Sequence, residues 1–128
     1  MEYTHTHIKT KRLTLHDNNL TGTNYKISPV YYKRINQITE NSYTFELELK
    51  IENTEENPFP ININIAYETT FSFKNFQSEK EIKDFLNIAA VQLIFPFIRT
   101  ALNSLLSAAI LPPIILPPVD VKMFKEKK

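Results

Sequence analysis

Apolar and polar residues alternate without a break through "SYTFELELKI". Tyr43, Phe45, Leu47, Leu49 and Ile51 would share one face, with Thr44, Glu46, Glu48 and Lys50 opposite. A period of two with one apolar face predicts a half-buried antiparallel strand, and leaves Glu46 and Glu48 as solvated residues of its outer face. The polar stretch "ENTEENPFP", closed by two prolines, reads as a turn. Alternation then resumes through Ile61, Ile63, Ile65, Tyr67, Thr69, Phe71 and Phe73. Thirteen residues is long for one strand, so a bend or bulge is expected near 68–70. Weaker strands are expected at about 8–16 and 25–35, joined through "DNNLTGTN", which holds the only glycine, Gly22. Four consecutive strands predict an antiparallel meander.

The period then changes. "SEKEIKDFL" opens with Ser78 followed three residues later by Glu81, a capping-box pattern, and carries Ile82, Phe85 and Leu86 at helical spacing. From about 90 to 110 two apolar rows run at helical spacing, one through Ile94, Ile98, Ala101, Leu105 and Ala108, the other through Leu93, Phe97, Leu102, Leu106 and Ala109. The remaining stripe is narrow and, apart from Arg99, uncharged. A lone surface helix would show a broad charged face. This helix therefore reads as packed on two sides, against its own sheet and against another copy of the chain. Arg99, Asn103, Ser104 and Ser107 are its candidate oligomer-interface residues. Pro96 is expected either to open the helix or to kink it. Strands first and helices last give an α+β class in a single domain spanning 1–128: a four-stranded antiparallel meander, a long helix, a proline-rich connector and a short C-terminal helix. The ends, 1–7 and 125–128, are expected to fray.

The connector "ILPPIILPP", Ile110 to Pro118, holds four prolines and five large aliphatics with no charge, hydroxyl or glycine. Thr100 to Val119 is an uncharged run of twenty residues, the length a bilayer needs. Its prolines would break a helix throughout the second half, so no membrane insertion is expected. The spacing from Pro113 to Pro117 leaves three residues between the prolines rather than the two of a PxxP ligand.

Charge and composition then narrow the chemistry. The 128 residues are 42% hydrophobic, carry a formal charge of +1 and include no cysteine. No basic patch large enough to grip nucleic acid stands out, and disulfides and thiolate metal sites are excluded. "MEYTHTHIKTKR" lacks the apolar run of a secretory signal, so a cytoplasmic protein is expected. One glycine excludes glycine-rich phosphate loops. His5 and His7 would share a strand face but lack a third ligand, so no metal and no cofactor is expected. Ser104 and Ser107 have no base nearby, and nothing reads as an active site. Tyr31, Tyr32, Phe71, Phe73, Phe76, Phe95 and Phe97 are left as candidates for core or for a groove that takes apolar segments of another protein.

The segment "LNIAAVQLIFPFIRTALNSLLSAAILPPIILPPVDVKMF" resembles the SecB protein-export chaperone family. That family carries a Phe-Pro-aromatic-x-Arg signature, here Phe95 to Arg99, followed by a proline-containing apolar connector, here Leu111 to Asp120. "SYTFELELKIE" and "INIAYETTFSF" match the third and fourth strands of the family, and the resemblance covers about 11–124. It implies a dimer of dimers with the long helices between sheets, and an ATP-independent, non-enzymatic holdase for unfolded or aggregation-prone clients. The implied client groove is bordered by the connector, the last helix and the loop between the second and third strands. In this chain that makes Tyr31, Tyr32, Ile35, Ile38, Ile110, Leu111, Ile114, Ile115, Leu116 and Phe124 the candidate groove residues, with Ile114 and Leu116 expected to be partly exposed. Two departures stand out. Ala108 and Ala109 occupy the stretch where the family places a glycine, so the turn must differ. Arg12, His16 and Asn64 stand where the typical member carries carboxylates that dock the motor ATPase SecA, which argues against export through that motor. Some relatives serve toxin–antitoxin pairs, so a dedicated client such as an antitoxin is favoured over presecretory chains. The alternative is a non-catalytic oligomeric adaptor that binds one folded partner.

Overall fold

The computed structural model describes residues 1–22 and 24–127. Six strands, β1 (Glu2–His5), β2 (Lys9–Asp17), β3 (Val30–Gln37), β4 (Ser42–Ile51), β5 (Ile61–Lys74) and β6 (Phe124–Glu126), form one sheet. Two helices, α1 (Glu79–Asn87) and α2 (Ala89–Ala108), cover one of its faces. The class is α+β, as the patterning predicts. The two strongest alternating segments are the sheet's centre: β4 and β5 pair without a register break from Ser42↔Ser72 to Ile51↔Ile63. Phe45, Leu47, Leu49, Ile65, Phe71 and Phe73 are sealed from solvent beneath the helices.

The strand order differs from the expected meander. β3, β4 and β5 are hairpin-connected neighbours, but β2 pairs with β5 on the far side of the sheet rather than with β3. This is a Greek-key arrangement. The cause is connection length: residues 18–29 separate β2 from β3, far more than a tight hairpin uses, and enough to carry the chain across the sheet. Thr23, inside that connection, lies outside the described residues. Strand β3 starts only after Pro29, which cannot donate to a ladder.

The expected bulge is present but on the partner strand. β5 keeps its phase throughout, whereas Lys11 is an extra residue between Thr10, opposite Tyr67, and Arg12, opposite Ala66. A second irregularity separates β1 from β2 along the same edge of β5. Extra residues sit more easily in an edge strand, which has one ladder to disturb instead of two. The ends are more ordered than expected. Glu2–His5 pairs with β5, and β6 runs parallel to β3, extended by a hydrogen bond from the Lys127 N–H to the Lys33 carbonyl at 2.8 Å. Lys128 lies outside the described residues.

Ser78 caps α1, accepting from the Glu81 N–H, while the Glu81 carboxylate accepts from the Gln77 N–H at 2.9 Å. This is the predicted capping box with its return bond displaced by one residue. Pro96 lies inside α2 and does not open it. By length and composition alone Glu79–Ala108 could cross a membrane; here α2 lays Val91, Ile94, Phe95, Ile98, Leu102 and Leu106 against the core. The uncharged run 100–119 divides between the end of α2 and the connector, with no helix after Ala108 until the short turn at Val121–Met123.

The sheet's outer face corrects the reading of Glu46 and Glu48 as solvated. Both are buried. Arg34, from β3, and Arg12, from β2, clamp them from either side, with Arg12 Nε donating to Glu48 Oε2 at 3.0 Å and Arg34 Nη1 to Glu48 Oε1 at 2.9 Å. Arg12 reaches across β5 because the residue beneath it is Ala66, which is fully buried. Burial alone would raise the Glu48 pKa, but the hydrogen bonds and charges of Arg34 and Arg12 outweigh it, and the net direction is down. A carboxylate with a depressed folded-state pKa contributes stability that is complete above its unfolded value of about 4.3 and is lost as pH falls through the folded value. Replacing Glu48 with Gln is expected to cost about 2 kcal/mol at pH 7, since it strips charge-assisted bonds from two arginines. Urea denaturation across pH 3–7 checks this: the gap between wild type and E48Q should be widest near pH 7 and close on acidification.

Candidate functional site

α2 ends in a turn its sequence makes difficult. The Ala109 N–H donates to Leu105 O, the Ile110 N–H to Ser107 O and the Leu111 N–H to Leu106 O at 2.9 Å. The last two are the paired bonds of a Schellman closure, which places one residue in left-handed backbone. That residue is Ile110, at φ 58 and 92% exposed. The left-handed position that usually takes glycine is therefore filled by a β-branched side chain, and the two closure bonds hold the turn without a glycine.

The connector then doubles back antiparallel to α2. Residues 113–116 and Leu111 enclose a cavity of about 550 Å³ with Arg99, Asn103, Leu106 and Ser107. Farther along, Pro118 to Val121 enclose one of about 480 Å³ with Val91, Gln92, Phe95 and Pro96. On the strap's other side, Leu111, Pro112 and Ile114 border a cavity of about 440 Å³ with Leu15, Leu20, Phe59 and Pro60. Leu111 and Ile114 thus form a ridge between two hollows. Ile114 and Leu116 are half-buried against the core, while Ile115 stands 88% exposed.

The candidate residues separate. Leu111, Ile114, Ile115 and Leu116 line the first cavity, with Ile110 at its entrance turn. Tyr31 and Phe124 are core residues instead, closing an aromatic triangle with Phe95 at centroid separations of 5.0 to 6.1 Å. Strand alternation sends Tyr32 to the opposite face of the sheet, where Lys127 Nζ lies 4.5 Å from its ring centroid. Ile35 is half-buried and Ile38 exposed, and neither lines the three cavities around the connector. Helical geometry divides the four candidate interface residues. Arg99, Asn103 and Ser107 face the connector cavity; Ser104 turns with Thr100 and Phe97 toward Leu13 of β2. The expected C-terminal helix is a single 3₁₀ turn, Val121–Met123, with the Asp120 carboxylate accepting the Lys122 N–H at 2.9 Å. Phe124 ends it by inserting beneath Tyr31 and Phe95, which aligns the next residues with β3 as β6.

Sequence reasoning missed Leu20, Phe59 and Pro60. Each sits in a polar turn, and the Greek-key pairing of β2 with β5 brings those turns together. A single large apolar residue within "DNNLTGTN" or "ENTEENPFP" was the available signal.

The site's polar chemistry is sparse. Arg99 stacks on Phe95, its guanidinium carbon 5.0 Å from the ring centroid. The Tyr31 hydroxyl is buried without a hydrogen-bond partner among the described residues. Burial raises its pKa and the charge of Arg99 opposes the rise. His5 packs on Phe71, and among the described residues no cluster of three or more potential ligands could hold a metal. The arrangement offers apolar walls, one cation and no convergent acid, base and nucleophile. Ile110→Gly is expected to stabilise the fold by about 1 kcal/mol, because glycine enters left-handed backbone without the penalty of a Cβ. A higher urea midpoint with an unchanged slope checks this.

No curated protein sequence matches the chain. Among solved structures, the Mycobacterium tuberculosis Rv1957 SecB-like chaperone, in complex with a ChAD peptide from the Rv1956 HigA1 antitoxin, aligns with a TM-score of 0.73 at 10% identity. The alignment covers 92% of this chain and 91% of that one, a likeness of fold. A protein of unknown function from Streptococcus agalactiae aligns over 91% of this chain and 98% of its own, at 14% identity and a TM-score of 0.46. Residues 25–128, which include β3 to β5, both helices, the connector and β6, match the family described as preprotein translocase subunit SecB. The chain belongs to the SecB family.

Proposed function

We propose that this protein is an ATP-independent holdase of the cytoplasm that keeps unfolded or aggregation-prone chains from associating by holding their apolar segments along the connector. The observation that carries the reading is the connector itself: an apolar strap that leaves open hollows on both sides, with two exposed isoleucines, Ile110 and Ile115, at its turn and crest. Family membership and the absence of any catalytic constellation along the strap support it. Full burial of a large apolar side chain is worth roughly 1.5–3 kcal/mol. Four or five such contacts, less the cost of ordering the client, give affinities on the order of micromolar. Apolar contacts without fixed polar partners tolerate many sequences, which suits a chaperone. A dedicated client such as an antitoxin is favoured over presecretory chains. The antitoxin peptide bound to the M. tuberculosis structure supports this, as does an outer sheet face on which Glu46 and Glu48 are already paired to Arg12 and Arg34 instead of standing free to dock a motor.

The same reading includes a homotetramer, a dimer of dimers. The flank of α2 that carries Leu93, Phe97, Thr100 and Ser104 repeats at helical spacing, and both Leu93 and Phe97 are exposed in the single chain. Beside it lies Leu13 of the edge strand, also exposed. Covering this flank takes a second copy. Sedimentation equilibrium should give four chains for the wild type and a smaller species for Phe97→Glu.

Aggregation of a heat-denatured model protein tests the holdase. Suppression is expected near one tetramer per client, and Ile114→Ser with Leu116→Ser together should weaken it about tenfold, the equivalent of roughly 1.4 kcal/mol. No suppression at near-stoichiometric tetramer would refute the proposal.

A further inference from the structure

Two of this chain's three arginines, Arg12 and Arg34, are committed to Glu46 and Glu48 on the outer face of the sheet. The third, Arg99, has no carboxylate partner among the described residues. It is the only charged residue lining the first connector cavity. In the adjoining cavity along the same face of α2 the one charge is Asp120, and that carboxylate is already occupied capping the 3₁₀ turn. Arg99 is also held in place: its guanidinium lies over Phe95, which packs in turn against the Tyr31 ring at 6.1 Å and the Phe124 ring at 5.9 Å. Tyr31 contributes a buried hydroxyl that lacks a partner. Two groups able to donate hydrogen bonds thus pack on one aromatic ring, the Arg99 guanidinium exposed and the Tyr31 hydroxyl buried, and among the described residues neither has an acceptor. A guanidinium cannot accept the hydroxyl proton, and the Tyr31 oxygen receives no guanidinium N–H in this structure.

We infer that the connector groove selects extended apolar segments carrying a carboxylate side chain, with Arg99 as the residue that recognises it. The inference rests on the proposed client-binding role and names the class of client. Apolar residues of the segment pack on Leu106, Ile114 and Leu116, and the carboxylate takes the position beside Arg99. The geometry also sets a length. Gln92 to Ser107, the stretch of α2 lining both cavities, rises about 22 Å at 1.5 Å per residue. An extended segment of about seven residues spans that distance. Arginine suits the task because its planar donors match a carboxylate in paired fashion and are more weakly hydrated than an ammonium, so less is lost when the groove closes over them.

Fluorescence anisotropy with three labelled heptapeptides tests this. All three share apolar residues at six positions; the first is amide-capped with a central Asp, the second amide-capped with Asn there, and the third carries Asn with a free terminal carboxylate. The wild-type protein should bind the Asp peptide about tenfold more tightly than the Asn peptide, and the ratio should shrink as salt rises from 50 to 500 mM. In Arg99→Gln the ratio should fall to about one, because the capped Asp peptide loses about tenfold more affinity than the capped Asn peptide. Equal wild-type affinity for the two capped peptides, or an equal loss for both in R99Q, would overturn the inference while leaving apolar client binding intact. Equal binding of the first and third peptides would overturn the assignment to a side chain in favour of a chain terminus. Binding of none of the three would reject the groove as a client site, and the inference with it.

Discussion

Two helices have to cover the apolar face of a sheet five strands wide, and most other features of the molecule follow from that shortage. α2 is about 30 Å long and with its side chains about 10 Å across, while neighbouring strands lie about 4.8 Å apart. One helix therefore roofs roughly two or three strands. The central pair, β4 and β5, receive that cover and are sealed. The margins are finished by other means: Phe124 tucks under Tyr31 at the β3 edge, α1 and Phe85 close over Phe71 and Phe73, and the connector folds back along α2. Because the connector is a thin strap and not a third helix, it leaves hollows on both sides. The site is what remains when a small chain runs out of elements with which to complete its core.

The opposite face solves a related problem without a second layer. Among the described residues no helix packs over it, yet Glu46 and Glu48 of β4 are buried there as well. The two arginines lie flat over Glu46 and Glu48, and their aliphatic stems take the place of a layer. A buried ion pair contributes less than its Coulomb energy suggests. Its use here is geometric: the pairing links β2 to β4 over the top of β5, fixing the register of an edge strand that carries a bulge and would otherwise be free to slip.

The sequence disclosed what is local and periodic. The central strands, the capping box of α1 and the position of α2 are repeats of two or of 3.6 residues, each element reporting on its own burial. The neighbours of a strand are not written that way. β2 has the same alternating appearance whether it pairs with β3 or β5, and only the twelve residues after Asp17 argue for the second. The site was legible in its connector, where composition is extreme, and illegible in the pieces that the Greek key brings to it. Tyr31 and Tyr32 show the limit most simply. Adjacent aromatics in a strand must point to opposite faces, so only one of them could face the connector side, and Tyr31, the one that does, is spent in the core.

Ile110 has a consequence beyond the turn it makes. A β-branched residue in left-handed backbone sits about 1–2 kcal/mol above its preferred conformation, held there by the hydrogen bonds of the helix cap. Leaving that basin relieves the strain at the expense of two of those bonds, worth about 1 kcal/mol each. The two terms nearly cancel. The elbow between α2 and the connector is then a soft hinge by energy balance and not by composition. A groove hinged in this way has no single width, and can admit side chains of differing bulk without any rearrangement of the sheet beneath it.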